Sequence, residues 1–245
     1  VSVEFDFDEV FDDDYLYFYE PMLSDERSDA DAERIWRLGP VHVGATVLDL
    51  GCGHGRIANR LASRGASVTG YDITPRFLEV ARAEAARQGV EVDYVQGDIR
   101  DLDYVERFDV VVSWFTSFGY FGDDTDRQVL RAVRRSLRPG GSFLVELLHG
   151  PGLWTRFLPA IVNRRGDDMM VDENRYDAAT GRVRSRRTIV RRGRARTFRF
   201  STRLFAYPEI REWLETAGFG HVEGFATDGS SLSHESHRMI VRALA

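Results

Sequence analysis

The stretch VLDLGCGHGR, residues 47–56, runs a short apolar segment into an aspartate and then three glycines at alternate positions. An apolar run of this length reads as a buried parallel strand, because a strand covered on both faces has no polar face to show. The glycines behind it let the backbone pass close to a ligand. Strands and helices then alternate. RIANRLASRG places apolar residues at helical spacing with Gly65 at its end, and SVTGYD (67–72) reads as a second strand. TPRFLEVARAEAARQG (74–89) reads as a helix capped by Thr74, with Pro75 in its first turn and Gly89 as its stop. VEVDYVQGD (90–98) and FDVVVSW (108–114) are the third and fourth strands. An amphipathic helix over about 124–137 stops at Pro139-Gly140-Gly141, and SFLVELL (142–148) is the fifth strand. Five strands with intervening helices predict a parallel, doubly wound α/β sheet.

The pattern then changes. Residues 168–177, 182–191 and 194–206 have strand-like composition without long helices between them, and RRGR (191–194) reads as a hairpin turn. We expect an antiparallel β insertion at about 165–206, after the fifth strand. YPEIREWLETAGF (207–219) is a helix, and HVEGFAT and HRMIVRAL form a closing hairpin at the sheet edge, which brings the sheet to seven strands. Residues 1–40 read as a helical extension or lid with the aromatic cluster YLYFYE (15–20), and 41–245 as the main domain.

Composition narrows the class. The 245 residues are 43% hydrophobic and 29% charged, enough for one large buried core. No apolar run approaches the roughly 18 residues a membrane helix needs. The acidic start VSVEFDFDEV has no basic n-region, so a signal peptide is not expected, and a cytoplasmic setting is. Cys52 is the single cysteine, which rules out an internal disulfide framework and a cysteine-rich zinc site. There is no lysine. Net charge is −6, unevenly spread: residues 1–31 hold twelve acids against Arg27 alone, whereas 182–199 hold nine arginines and no acid. The two segments are expected to attract each other, and with that neutralisation and an acidic chain, nucleic acid is not the expected partner.

The glycine loop has rivals. A phosphate-binding loop of the GxxxxGK[ST] type needs a lysine and is excluded. The dinucleotide fingerprint GxGxxG would place its third glycine at Arg56, where only a small residue permits close helix–strand packing. The spacing here is Asp49-x-Gly51-x-Gly53-x-Gly55. Asp72 ends the second strand in GYDIT, Asp98 the third in QGDIR, and LRPGG (137–141) joins the last central helix to the fifth strand. Together these motifs resemble the class I S-adenosylmethionine-dependent methyltransferases, in detail over about 40–150 and in layout over 205–245. The resemblance implies a Rossmann-like seven-stranded fold and S-adenosylmethionine as cofactor, with S-adenosylhomocysteine as product. It implies that Asp49 helps to hold the amino-carboxylate end, that the loop of Gly51, Cys52, Gly53, Gly55 and Arg56 contacts the cofactor, its glycines letting the backbone pack under the adenosine and methionine part, and that Asp72, flanked by Tyr71, binds the ribose. Asp98, flanked by Gly97, would take the adenine amine, the Ile99 backbone an adenine ring nitrogen, and Ile73 would pack on the ring. Ser113, Trp114 and Phe115 would face the methionine end, and Tyr15 would close over the cofactor.

The methyl acceptor is less sharply marked. SWFTSFGY (113–120) lacks the [DN]PP[FY] pattern of adenine and amide methylation, and Cys52 lies in the wrong loop for cytosine chemistry; it reads as a small packing residue. The sequence looks like the small-molecule enzymes, at a distance like the aminodeoxysugar N-methyltransferases of actinobacterial pathways. That resemblance points to a nitrogen, oxygen or carbon of a small acceptor, and the arginine stripe at 182–199 favours one bearing an anionic group over nucleic acid. RNA- or protein-directed methylation, and a cofactor-binding protein without methyl transfer, are the alternatives. Trp114, Phe118, Tyr120 and Arg203 are the candidate acceptor contacts. His149 and Tyr19 are the catalytic candidates; Glu146 orients a nucleophile or is a satisfied polar residue, and His54 caps or contacts the cofactor carboxylate. His234 and His237 lack a third ligand, so no metal is expected. A monomer or homodimer is expected.

Overall fold

The computed structural model describes residues 6–245. The first residues of the expected N-terminal extension therefore lie outside the described residues. Three helices open the described chain: α1 (Phe7–Val10), α2 (Asp13–Tyr19) and α3 (Asp25–Leu38). Each has a side-chain cap, from Asp6, Asp12 and Ser24, which accept hydrogen bonds from backbone N–H groups of the first turn. The alternating region then gives β1 (Thr46–Leu50), α4 (Ala58–Ser63), β2 (Ser67–Asp72), α5 (Pro75–Gln88), β3 (Asp93–Gln96), β4 (Phe108–Ser113), α6 (Asp123–Ser136) and β5 (Leu137–Leu148). A short α7 (Gly150–Trp154) leads to β6 (Ala160–Arg165), β7 (Asp168–Asp177), β8 (Arg182–Arg191) and β9 (Arg194–Arg203). The chain closes with α8 (Tyr207–Thr216), β10 (Val222–Ala226) and β11 (Arg238–Leu244).

The main sheet has seven strands in the order β10-β11-β5-β4-β1-β2-β3. β1 to β5 are parallel, and β11 runs antiparallel between β5 and β10. Alternation along each strand feeds two cores. Leu48, Val111, Phe143 and Val145 face α6 and α8, meeting Leu130, Ile210 and Trp213. Val47, Val110, Val112 and Leu144 face α3, α4 and α5, meeting Ile35, Leu61 and Leu78. Strand order reverses between β1 and β4, and the parallel strands' carboxyl ends there open the crevice where such sheets bind ligands.

The second sheet, β6-β7-β8-β9, is antiparallel and packs Met170, Ile189 and Phe198 against Val10 and Phe18 of α1 and α2. The β8–β9 turn carries positive φ at both Arg192 and Gly193, as a two-residue hairpin turn requires. Several boundaries differ from the expectation. β5 begins at Leu137, so LRPGG is its first part and not a separate link; a register shift between Phe108 and Val110 absorbs the glycines. The insertion begins at Ala160 with β6, an exposed edge strand too weakly patterned to be read. β3 is only Asp93–Gln96, so Asp98 lies in the loop beyond it. Thr74 makes no side-chain cap; the Asp72 carboxylate takes the Thr74 N–H instead, at 2.8 Å.

Candidate active site

The loop after β1 turns away at Gly51, where φ is +73° and a Cβ would come within 2.6 Å of the Ser117 Cβ. Only glycine fits this close approach. The loop is laced to β2: Gly53 N–H donates to the Asp72 carboxylate at 2.7 Å, and Gly51 N–H to the Tyr71 carbonyl at 2.8 Å. On the other side β4 ends at Ser113, and Phe115 and Thr116 adopt φ of 59° and 65°. Two successive non-glycine residues in this region cost roughly 1–3 kcal/mol each and persist only where neighbours impose them. Here Phe115 N–H donates to Glu146 Oε2 at 2.9 Å, and Arg238 bridges Glu146 (2.8 Å) and the Thr116 hydroxyl. Glu146 is thus a satisfied, buried partner of Arg238.

Between these walls lies a cleft of about 870 Å3, a volume that includes the solvent at its mouth. Concave, largely apolar spaces with a few convergent polar groups are where small ligands bind. The structure brings Tyr15, Asp49, Gly51, Cys52, Gly53, Arg56, Asp72, Ile73, Asp98, Ile99, Trp114, Phe115 and Tyr120 to its lining. His54 lines it too. The roof is aromatic. Phe11 meets Tyr15 and Tyr120 edge-on at 5.2 and 5.7 Å, and Phe7 meets Phe121 at 5.7 Å. Phe7, Phe11, Phe77 and Phe121 line the cavity without having been singled out in the sequence. Their helical spacing reads as ordinary core, and only the density of aromatic residues hinted otherwise.

Other candidates lie elsewhere. Gly55 packs on Ala81 and Tyr94, and Gly97 on the Tyr71 ring, whose hydroxyl donates to the Asp98 carbonyl at 3.2 Å. Tyr71 and Gly97 therefore shape the Asp98 loop from behind. Ser113 is buried in β4. Phe118 stacks on Phe205 in the core, 6.0 Å between ring centroids. Arg203 is held by Glu209 and Asp123 beside the insertion. His149 is buried, its Nδ1 2.8 Å from the Ser236 carbonyl, and it does not line the cavity. Tyr19 stacks on Tyr15 at 4.2 Å, and its hydroxyl accepts from Arg187 at 3.0 Å.

Electrostatics divide the wall. Burial raises the Asp49 carboxyl to about 7, although Arg56 opposes the shift. Burial likewise raises Asp72, against two backbone N–H donors. Burial disfavours the charged Asp98 too, but Arg100 hydrogen bonds outweigh it and the carboxyl lies below its usual range. Burial, with Arg56 and Arg60 nearby, lowers His54 to about 4, so this histidine is neutral at pH 7. Three buried atoms of the wall have no hydrogen-bond partner among the described residues: Asp49 Oδ2, Arg56 Nη2 and Trp114 Nε1.

A zwitterion bearing an ammonium and a carboxylate complements the first two of these atoms. Asp72 at the end of β2 can accept from ribose hydroxyls, and Ile73, Ile99 and Phe77 offer an apolar slot for an adenine. The residues present therefore fit S-adenosylmethionine, and a pyrophosphate is poorly served by a wall of three carboxylates.

Comparison with known proteins agrees. Residues 47–141 match the family model described as "Methyltransferase domain". The chain is 34% identical over 137 residues to the ubiquinone biosynthesis O-methyltransferase of Klebsiella pneumoniae, covering 55% of this chain and 54% of that protein. The chain spans about half the length of the curated relatives it matches. Among solved structures it resembles the CcbJ methyltransferase from Streptomyces caelestis, with TM-score 0.82 at 24% identity over 96% of this chain and 98% of that one. It also resembles CalS10, an amino pentose methyltransferase from Micromonospora echinaspora solved with S-adenosylmethionine bound, with TM-score 0.67 at 23% identity over 96% and 98%. The chain has the class I methyltransferase fold.

Proposed function

We propose that this protein transfers a methyl group from S-adenosylmethionine to a nitrogen or oxygen of a small molecule. The observation that carries the reading is the pair of partnerless buried atoms, Asp49 Oδ2 and Arg56 Nη2, beside the glycine loop and Asp72. When bound, the cofactor supplies a methyl group already activated on a sulfonium. Asp49 and Arg56 hold its amino-carboxylate end, Asp72 its ribose, and the Asp98–Ile99 loop its adenine. Phe115 and Thr116, fixed by Glu146 and Arg238, form the wall on which the acceptor is aligned. The gain is mainly orientation and exclusion of water, which the aromatic roof of α1 and α2 supports.

His54, near 4, is a weak base at pH 7, and His149 does not line the cavity. The arginine stripe argues against a nucleic-acid substrate. Arg187 pairs with Asp172, Arg191 with Asp14, and Arg196 with Asp12 and Asp14, so much of its charge is neutralised internally. Incubation with S-adenosylmethionine and a panel of small phenols, carboxylic acids and amines should yield S-adenosylhomocysteine with at least one acceptor. Saturable cofactor binding with no turnover on any panel member would instead favour a cofactor-binding protein.

A further inference from the structure

One face of α3 enters the core. Ser28, Asp31, Ala32, Ile35 and Leu38 are buried, at the three-to-four-residue spacing of a single helix face. An acid in that stripe needs paired charge, since a buried carboxylate without a partner is strongly unfavourable. Other acids of α3 meet α4 in solvent: Asp25 and Asp29 pair with Arg60, and their side chains are 97% and 65% exposed. Asp31 is different. Its Oδ2 accepts from Arg56 Nη1 at 2.8 Å inside the protein, and its Oδ1 accepts from Arg34 Nη1 at 2.7 Å. One carboxylate is thereby shared between two guanidinium groups, and the trio keeps a net positive charge.

Arg56 is the member of the trio that lines the cavity, and its Nη2 is buried without a hydrogen-bond partner among the described residues. Two contacts fix its guanidinium plane. Nη1 is held by Asp31, and the central carbon lies over the Phe115 ring, 5.4 Å from its centroid. A planar group held at one nitrogen has its other nitrogens set as well, so the Asp31 bond decides where Nη2 points. We propose that Asp31 is a positioning residue for cofactor recognition: it holds Arg56 so that Nη2 donates to the carboxylate of the cofactor. This assignment rests on the methyl-transfer reading above, and it adds to that site a residue of α3, outside the glycine loop and the strand ends. On charge alone Asp31 would weaken the hold of Arg56 on an anion. Positioning and neutralisation therefore predict opposite signs when Asp31 is removed.

The test titrates the full chain by calorimetry with S-adenosylhomocysteine and with its decarboxylated form, S-adenosyl-3-thiopropylamine, which keeps the ammonium and lacks the carboxylate. The wild type should prefer S-adenosylhomocysteine by about tenfold or more, as expected for one charge-assisted hydrogen bond. Asp31→Ala should lose most of that preference through weaker S-adenosylhomocysteine binding, with the decarboxylated ligand bound as in the wild type. Asp31→Asn, which keeps one neutral acceptor for Arg56, should fall between the two. Arg56→Gln should lose the preference as well, and adding Asp31→Ala to it should change the preference no further. A preference equal to or above that of the wild type in either Asp31 variant would overturn the assignment, and Asp31→Asn decides where Asp31→Ala does not fold. Equal loss of both ligands in the Asp31 variants would also overturn it, by making the Asp31–Arg56 bond a structural one. So would a wild type that binds the two ligands equally, or a further loss of preference in the double variant. Failure of the wild type to bind S-adenosylhomocysteine at all would instead sink the methyltransferase reading.

Discussion

Asp49→Asn is the substitution that tests the cofactor site most directly. The Asp49 side chain is buried at the end of β1, with Oδ2 unpartnered among the described residues and its carboxyl raised by burial to about 7. A ligand ammonium would be its missing partner, and asparagine keeps the shape while removing the charge. A charge-assisted hydrogen bond contributes about 1.5–3 kcal/mol, so the variant should bind S-adenosylhomocysteine about 10- to 100-fold more weakly. The pH dependence carries more information. In the free protein the carboxyl titrates near 7; in the complex the ammonium holds it ionised, so its value falls on binding. Binding is therefore fully present above about pH 7 and is lost as the pH drops, by up to about tenfold per unit. At about pH 6 the complex should release close to one proton. Calorimetry at that pH in two buffers of different ionisation enthalpy counts the proton. Asp49→Asn should release none from this site, and its affinity should not follow the wild-type acid limb. A wild type that releases no proton, or a variant with the same acid limb, would refute the pairing of Asp49 with the ammonium.

Three further outcomes are expected. Asp72→Ala should weaken S-adenosylhomocysteine binding by about tenfold or more, and Asp98→Ala by less, because Arg100 already occupies both Asp98 oxygens; calorimetric titration of both variants checks the order. Arg187→Ala leaves Asp172 buried without its guanidinium, bonded now at 2.6 and 2.7 Å, and should cost about 3–5 kcal/mol, read as a lowered Tm. Asp126 is fully buried, both its oxygens are unpartnered among the described residues, and burial raises its carboxyl to about 8. Between about 4 and 8 the folded chain keeps a proton that the unfolded chain releases, so this group makes stability fall as pH rises, by at most about 1.4 kcal/mol per unit. Asp126→Asn should flatten that part of the Tm–pH curve, and a curve parallel to the wild type would contradict the assignment.

The parallel sheet was legible because each of its signals is local: an apolar run, a glycine or proline stop, a helical period between them. The cavity wall was legible for a related reason. In a parallel sheet, strand ends are brought to one edge by topology, so Asp49, Asp72 and the residues after β4 had to meet. Legibility fails where side-chain direction decides. Phe118 lies in the same segment as Tyr120, yet it turns inward to Phe205 while Tyr120 lines the cavity. His149 follows β5 at the expected edge but spends its Nδ1 on the Ser236 carbonyl, a contact between residues 87 apart in sequence. The aromatic roof failed for a different reason: α1 and α2 are short helices whose Phe7 and Phe11 have no neighbour in sequence to mark them as cavity-facing.

The charge asymmetry of the sequence finds its explanation in the same roof. Twelve acids near the start and nine arginines in one stretch would each repel themselves if left apart. In the fold Arg191 and Arg196 reach Asp14, Arg196 also reaches Asp12, and Arg196 donates to the Glu9 carbonyl at 3.0 Å. Beneath these partly exposed pairs, Val10 and Phe18 pack on Met170, Ile189 and Phe198, and Arg187 carries the connection on to the Tyr19 hydroxyl. The ion pairs are individually weak where solvent reaches them. The apolar contacts hold the helices to the second sheet, while the charges fix which helix face meets it. The consequence for function follows directly: three of the nine arginines that would suggest a polyanion substrate, Arg187, Arg191 and Arg196, are spent on seating the N-terminal segment, whose Phe7, Phe11 and Tyr15 line the cavity roof.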